Sequence, residues 1–213
     1  MITIALTKGR ILQETLPLLS AAGIEPAEDI ATSRKLRFDT NHNDMQILVL
    51  RGVDVITYIR RGVADFGVVG KDMLMEDGGE ELYELFDLEI AKCRLMTASL
   101  ADQPSNESKS RIRVATKYVN VAKKYYAGTG VHADIIKLYG GMELAPLMGL
   151  ADEIVDIVDT GKTLKANGLE ANKFIADISS RLVVNKASMK VKHRELLPIA
   201  QLMADAARAA HSN

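Results

Sequence analysis

Two hydrophobic spacings alternate along this chain. Ile2–Leu6 is an apolar run of strand length, and beyond it Ile11, Leu12, Thr15, Leu16 and Leu19 recur at helical spacing until Gly23, with Pro17 expected to kink that helix. Ser33–Phe38 and Met45–Leu50 read as strands about the turn formers Asn41-His42-Asn43-Asp44, which makes His42 a turn residue. A helix Val55–Arg61, a strand Phe66–Val69 and a helix opened by Gly70-Lys71-Asp72 follow. Ile90–Leu100 is a mixed apolar strand, and the polar, Pro/Ser-rich stretch 101–110 after it reads as an exposed loop. Next come a strand Arg113–Thr116, a helix Val121–Ala127 capped by Asn120, and a strand Ala133–Leu138. Ile178–Asn185 is a late strand, and Val191–Ala210 closes the chain as a helix with Leu196, Leu197, Ala200, Met203 and Ala207 on one face. This alternation predicts an α/β fold, and no linker cleanly divides it.

The most informative stretch is Glu143–Leu169. In Glu153-Ile-Val-Asp-Ile-Val-Asp159, β-branched residues flank Asp156, as expected of a strand covered on both faces of a parallel sheet with Asp156 its one interior charge. Thr160-Gly161 then turns the chain into a short helix, Thr163–Asn167, which Gly168 is placed to stop. Such a turn offers amide N–H donors, the positive end of a helix dipole and the hydroxyls of Thr160 and Thr163, a combination that suits phosphate oxygens. Taken alone, a capped strand-to-helix turn is the better reading. The spacing is not that of a P-loop.

Charge and composition remove several function classes. The 213 residues carry 27 Lys and Arg against 28 Asp and Glu, without a basic block, so nothing favours nucleic acid. No apolar run spans a membrane and no signal sequence is apparent, which predicts a cytoplasmic protein. Cys93 is the single cysteine, expected as a small core residue, and no His/Cys cluster has structural zinc spacing. Lys8 and Arg10, by contrast, lie in the turn Thr7-Lys8-Gly9-Arg10 at a helix start, where the dipole disfavours cations. They point to an anionic ligand at the carboxyl end of the first strand. Asp54 and Asp72, as first-turn acids, read as structural on composition alone.

Glu143, Gly149, Ala151, Ile154, Asp156, Ile157, Thr160, Gly161, Thr163 and Leu164 stand at the spacing E-x5-G-x-A-x2-I-x-D-I-x2-T-G-x-T-L. This resembles the signature of the ATP phosphoribosyltransferase family, which opens histidine biosynthesis. The resemblance extends through Lys8-Gly9-Arg10, Ser33-Arg34-Lys35-Leu36, Arg51-x-x-Asp54-Val55-x-x-Tyr58, Gly70-Lys71-Asp72 and Ala115-Thr116-Lys117-Tyr118. It implies two α/β lobes like a type II periplasmic binding protein, residues 1–91 plus 177–213 and residues 92–176, with the active site in the cleft between them. It also implies transfer of phosphoribosyl from phosphoribosyl pyrophosphate to N1 of ATP, with Mg2+.

The positions that match the family pattern are expected to divide the work. Arg10 and Arg34 would meet the leaving pyrophosphate, supported by Lys8, Gly9 and Arg51, with Asp72 also in the substrate site. Asp156, Asp159 and Glu143 would meet ribose hydroxyls or magnesium, and Thr160, Gly161, Lys162, Thr163 and Leu164 would hold the 5-phosphate. The resemblance is to the short form of the enzyme, implying a homodimer within a hetero-oligomer that includes a regulatory subunit related to histidyl-tRNA synthetase. Two other readings fit parts of the pattern: a two-lobed solute-binding protein, or a phosphoribosyltransferase with another base as acceptor.

Overall fold

The computed structural model describes residues 1–102 and 110–211, so most of the loop expected at 101–110 lies outside the described residues. The N-terminal apolar run forms β1 (Ile2–Thr7), followed by α1 (Arg10–Ala21), β2 (Arg37–Asp39), β3 (Met45–Leu50), α2 (Gly52–Arg60), β4 (Phe66–Gly70) and α3 (Lys71–Asp77). β5 (Leu82–Asp87), β6 (Cys93–Leu100), β7 (Arg111–Thr116), α4 (Val119–Thr129) and β8 (His132–Lys137) come next. The chain ends with α5 (Leu144–Leu147), β9 (Glu153–Val158), α6 (Lys162–Ala166), β10 (Leu169–Ile178), β11 (Ser180–Asn185) and α7 (Lys186–His211). It divides into two units, one of residues up to Ala91 with those from Ser179 onward, the other Lys92–Ile178. The second crossing thus follows β10, a strand that runs unbroken through residue 177.

The first unit is a six-stranded sheet in the order β2-β3-β1-β4-β11-β5. Successive β1 residues face opposite sides, and both sides are covered. Ile2, Ile4 and Leu6 pack with Leu12 and Leu19 of α1 and Leu196 and Met203 of α7, while Ala5 packs with Val55, Ile56 and Ile59 of α2. Pro17 lies within α1 on its exposed side, and the helix continues through it. On α7, Leu196, Ala200, Met203 and Ala207 are buried as the spacing predicted, but Leu197 is exposed and the backbone breaks at Lys192.

The second unit has the order β10-β6-β9-β7-β8. β7 runs parallel to β8 and β9, whereas β6 runs antiparallel to β9 and β10, so the sheet is mixed rather than parallel throughout. Cover on β9 is uneven: Ile154, Val155 and Val158 are buried but Ile157 is 41% exposed. Glu153 rather than Asp156 is its buried charge. Two further expectations change here: Cys93 is half-buried at the start of β6, and Asn120 lies inside α4, whose N-cap is Tyr118.

Candidate functional site

In the first unit β1, β3 and β4 run parallel, so the turns that follow them lie on one edge of the sheet. The Lys8 N–H donates to the Leu50 carbonyl at 2.8 Å, and the Thr7 hydroxyl donates to the Val68 carbonyl at 2.9 Å, which fastens those three strand ends together. Gly9 is the N-cap of α1 at φ 95 and ψ −143, a backbone region that only glycine enters freely. Ser33–Leu36, expected as strand, instead lead into the short antiparallel β2; Val49 N–H donates to the Leu36 carbonyl at 2.8 Å, which brings Arg34 to the same edge. A cavity of about 360 Å³ opens there, its lining including Lys8, Gly9, Leu12, Leu16, Arg34 and Lys35.

Lys8, Gly9 and Arg34 therefore share one cavity, and the other expected residues of this unit stand outside its lining. Arg51 is exposed as the N-cap of α2 at the end of β3. Asp72 is buried in the first turn of α3, its carboxylate folded against the N-cap Gly70. Arg10, the first residue of α1, donates from Nε to Glu14 Oε1 at 2.6 Å. Lys35 is a cavity cation not assigned from the sequence, and its Nζ pairs with Glu28 Oε1 at 2.6 Å.

In the second unit β7 and β9 run parallel and end at the same edge. Gly161 is the N-cap of α6 at φ 73, which makes the turn after β9 dependent on left-handed backbone. Asp159, Thr160, Lys162 and Thr163 are exposed around it, and Lys162 N–H donates to Thr160 Oγ1 at 3.4 Å. The expected helix is shifted by one residue, to Lys162–Ala166, and Gly168 follows it at φ 70 as the stop. Leu164 turns its side chain into the unit's core with Ile154 and Val158, which leaves its backbone to meet a ligand. Glu143 is half-buried immediately before α5.

Asp156 is half-buried near the end of β9, where its Oδ1 accepts the Ile157 N–H at 2.8 Å and lies 3.8 Å from Lys117 Nζ. Lys117 reaches it because Thr116, fully buried, locks the end of β7: its hydroxyl donates to the Val155 carbonyl at 2.6 Å and accepts the Tyr118 N–H at 2.9 Å. Lys117 was legible only as part of the family pattern. Further back in β9, Glu153 accepts from Tyr126 Oη at 2.7 Å and from Asn172 Nδ2 at 3.2 Å. Burial, with the Glu153 charge adding, pushes the Tyr126 phenol far above the ordinary tyrosine range and raises Tyr125 as well.

No cluster of three or more His, Cys, Asp or Glu side chains among the described residues is arranged to hold a metal. Mg2+ does not demand one, since it commonly binds through one or two carboxylates plus substrate phosphates. The donor set of Asp156 and Asp159 beside the Gly161 turn fits that mode.

Comparison with known proteins turns these placements into a family assignment. The family model described as HisG, ATP phosphoribosyltransferase, matches residues 51–205. An ATP phosphoribosyltransferase of Hahella chejuensis is 64% identical over 205 residues, covering 96% of each chain, and one of Ectopseudomonas mendocina is 60% identical over 211 residues, covering 99% of each. Among solved structures, the ATP phosphoribosyl transferase (HisG:HisZ) complex from Thermotoga maritima superposes with a TM-score of 0.84 at 32% identity, covering 98% of this chain and 100% of that one. The Bordetella pertussis BvgS VFT2 domain superposes at 0.59 and 13% identity over 98% and 92% of the two chains, a likeness of two-lobed fold alone. This chain belongs to the ATP phosphoribosyltransferase family, whose reaction is the first step of histidine biosynthesis.

Proposed function

We propose that this chain joins C1 of phosphoribosyl pyrophosphate to N1 of ATP, with groups at a sheet edge of each unit taking part. One observation carries the reading: the family's glycine turn, Thr160–Leu164, closes β9 with left-handed Gly161, the conformation a phosphate-cradling turn needs. The C1–N1 bond forms as the C1–O bond to pyrophosphate breaks, and the electron pair leaves with pyrophosphate. Negative charge therefore grows on the leaving group and positive charge on the ribose. Arg10 and Arg34 meet the first, because a guanidinium stays charged and its planar fork matches phosphate oxygens. Lys8, the Gly9 amide and Arg51 support them, and Asp72 lies within the same substrate site. The Thr160 and Thr163 hydroxyls, the turn amides and Lys162 hold the 5-phosphate, with Leu164 contributing only backbone.

Asp156, Asp159 and Glu143 meet ribose hydroxyls or, for the two aspartates, Mg2+. Bound Mg2+ would neutralise charge on the pyrophosphate. Adenine N1 already carries a lone pair, so no strong general base is required. The test is to mix the purified chain with ATP, phosphoribosyl pyrophosphate and Mg2+ and to measure pyrophosphate. Release only when both substrates are present is expected. Anion binding with no release would return the solute-binding reading instead.

The solved relative in complex with HisZ supports the short form, a catalytic homodimer assembled with a regulatory subunit related to histidyl-tRNA synthetase. Among the described residues no helix is long and apolar enough to cross a membrane, and a cytoplasmic site of action suits these substrates.

A further inference from the structure

We infer that Glu14 is a positioning residue for the transfer reaction, one that presets Arg10; the inference rests on the assignment of Arg10 to the leaving pyrophosphate. Arg10 and Glu14 stand four residues apart on α1, with Arg10 Nε 2.6 Å from Glu14 Oε1. An ion pair at this spacing on a solvated helix face is weak, and its members exchange freely with water. Glu14 differs in what its other oxygen does. Oε2 accepts the backbone N–H of Ala91 at 2.7 Å, a bond that spans 77 residues of sequence. The carboxylate is therefore pinned from outside its own helix, and it pins the guanidinium in turn.

Ala91 is the last residue of the first unit before the chain enters the second, and it is a non-glycine residue at φ 50. Left-handed backbone persists at such a residue only where its surroundings hold it. The hydrogen bond to Glu14 is one such hold, so the carboxylate is fixed against a structurally determined backbone rather than against solvent. The benefit follows from what arginine otherwise loses: its long side chain surrenders rotamer freedom when it meets a ligand. A guanidinium oriented beforehand stabilises developing charge without that reorganisation. Glu14 acts through Arg10 and touches no substrate.

A double-mutant cycle tests this. Gln at 14 keeps an oxygen for the Ala91 N–H and puts an NH2 where Arg10 met an oxygen, which removes the charge and the acceptor that order Arg10. Glu14→Gln is expected to lower kcat on the order of tenfold, leave KM for ATP within about twofold, and barely move the melting temperature. Arg10→Ala with Glu14→Gln should be no slower than Arg10→Ala alone, because Glu14 acts on the reaction through Arg10. Additive losses, or a Glu14→Gln enzyme with wild-type or higher kcat beside a slow Arg10→Ala, overturn the positioning role alone. An Arg10→Ala enzyme at full rate overturns the Arg10 assignment and this inference with it. Should Glu14→Gln not accumulate folded, the cycle is run in an Ala91→Gly background, where glycine accepts the positive φ without strain.

Discussion

Gly161 has room around it: a Cβ built there would meet only Val158 Cγ1, at 3.9 Å. The cost of a side chain is therefore conformational, about 1–2 kcal/mol for left-handed backbone in an L residue and more for a β-branched one. Gly161→Val is expected to distort the turn and weaken phosphoribosyl pyrophosphate binding by well over tenfold. Thr163→Ala removes one exposed hydroxyl and should cost on the order of 1.5 kcal/mol, about tenfold, as hydrogen bonds to a charged group do. Titration calorimetry is the check, and unchanged affinity in both variants would remove the turn from the phosphate site. The residue types and spacing of this turn were legible in the sequence. The division within it was not, because whether Leu164 offers a side chain or only backbone depends on Ile154 and Val158 packing beneath it.

β9 illustrates how an element hides its own chemistry. Asp156, the obvious interior charge, is only half-buried, while Glu153 at the strand's start is buried under Tyr126 of α4 and Asn172 of β10. Tyr126→Phe leaves that carboxylate short of a donor and should destabilise the fold by about 1–3 kcal/mol. The pH dependence has a definite sign. An unfolded tyrosine loses its proton near pH 10, whereas Tyr126, its phenol raised by burial, keeps it when folded. Above about pH 10 the unfolded chain binds fewer protons, so wild-type stability falls as pH rises, and the phenylalanine variant lacks that part of the fall. Urea midpoints from pH 7 to 11 should show the gap between the two proteins narrowing above pH 10. A constant gap would contradict it.

The same dependence on neighbours explains the strands that periodicity missed. β5, Leu-Tyr-Glu-Leu-Phe-Asp, and β10 show no clean alternation of buried and exposed residues, and each stands at the end of its sheet. What makes them strands is hydrogen bonding to β11 and to β6, which local composition does not encode. α1, β1, β3 and β4, covered on both sides or along one stripe, carry their pattern in the residues themselves.

For the molecule as a whole, the solved HisG:HisZ complex motivates a prediction about control. An effector shifts an equilibrium only through a site that distinguishes two states, and in the proposed short form that site belongs to the regulatory subunit. The purified chain alone is expected to be active and indifferent to histidine, and addition of the regulatory subunit should bring inhibition. Initial rates against histidine concentration, with and without that subunit, decide it. Strong inhibition of the lone chain, competitive with neither substrate, would sink the short-form assignment.

The α/β class, the turns bearing Lys8 and Gly161, and the family itself were readable from the chain, because each depends on residue type at fixed local spacing. Tertiary structure decided the mixed pairing of the second sheet, the placing of Lys8 with Arg34 on one cavity, the fastening of Lys117 beside Asp156 and the pinning of Arg10 through Glu14 to Ala91. The reason is sequence separation. The partners in those contacts lie as much as 77 residues apart, and no local pattern of side chains records which distant backbone a carboxylate will meet.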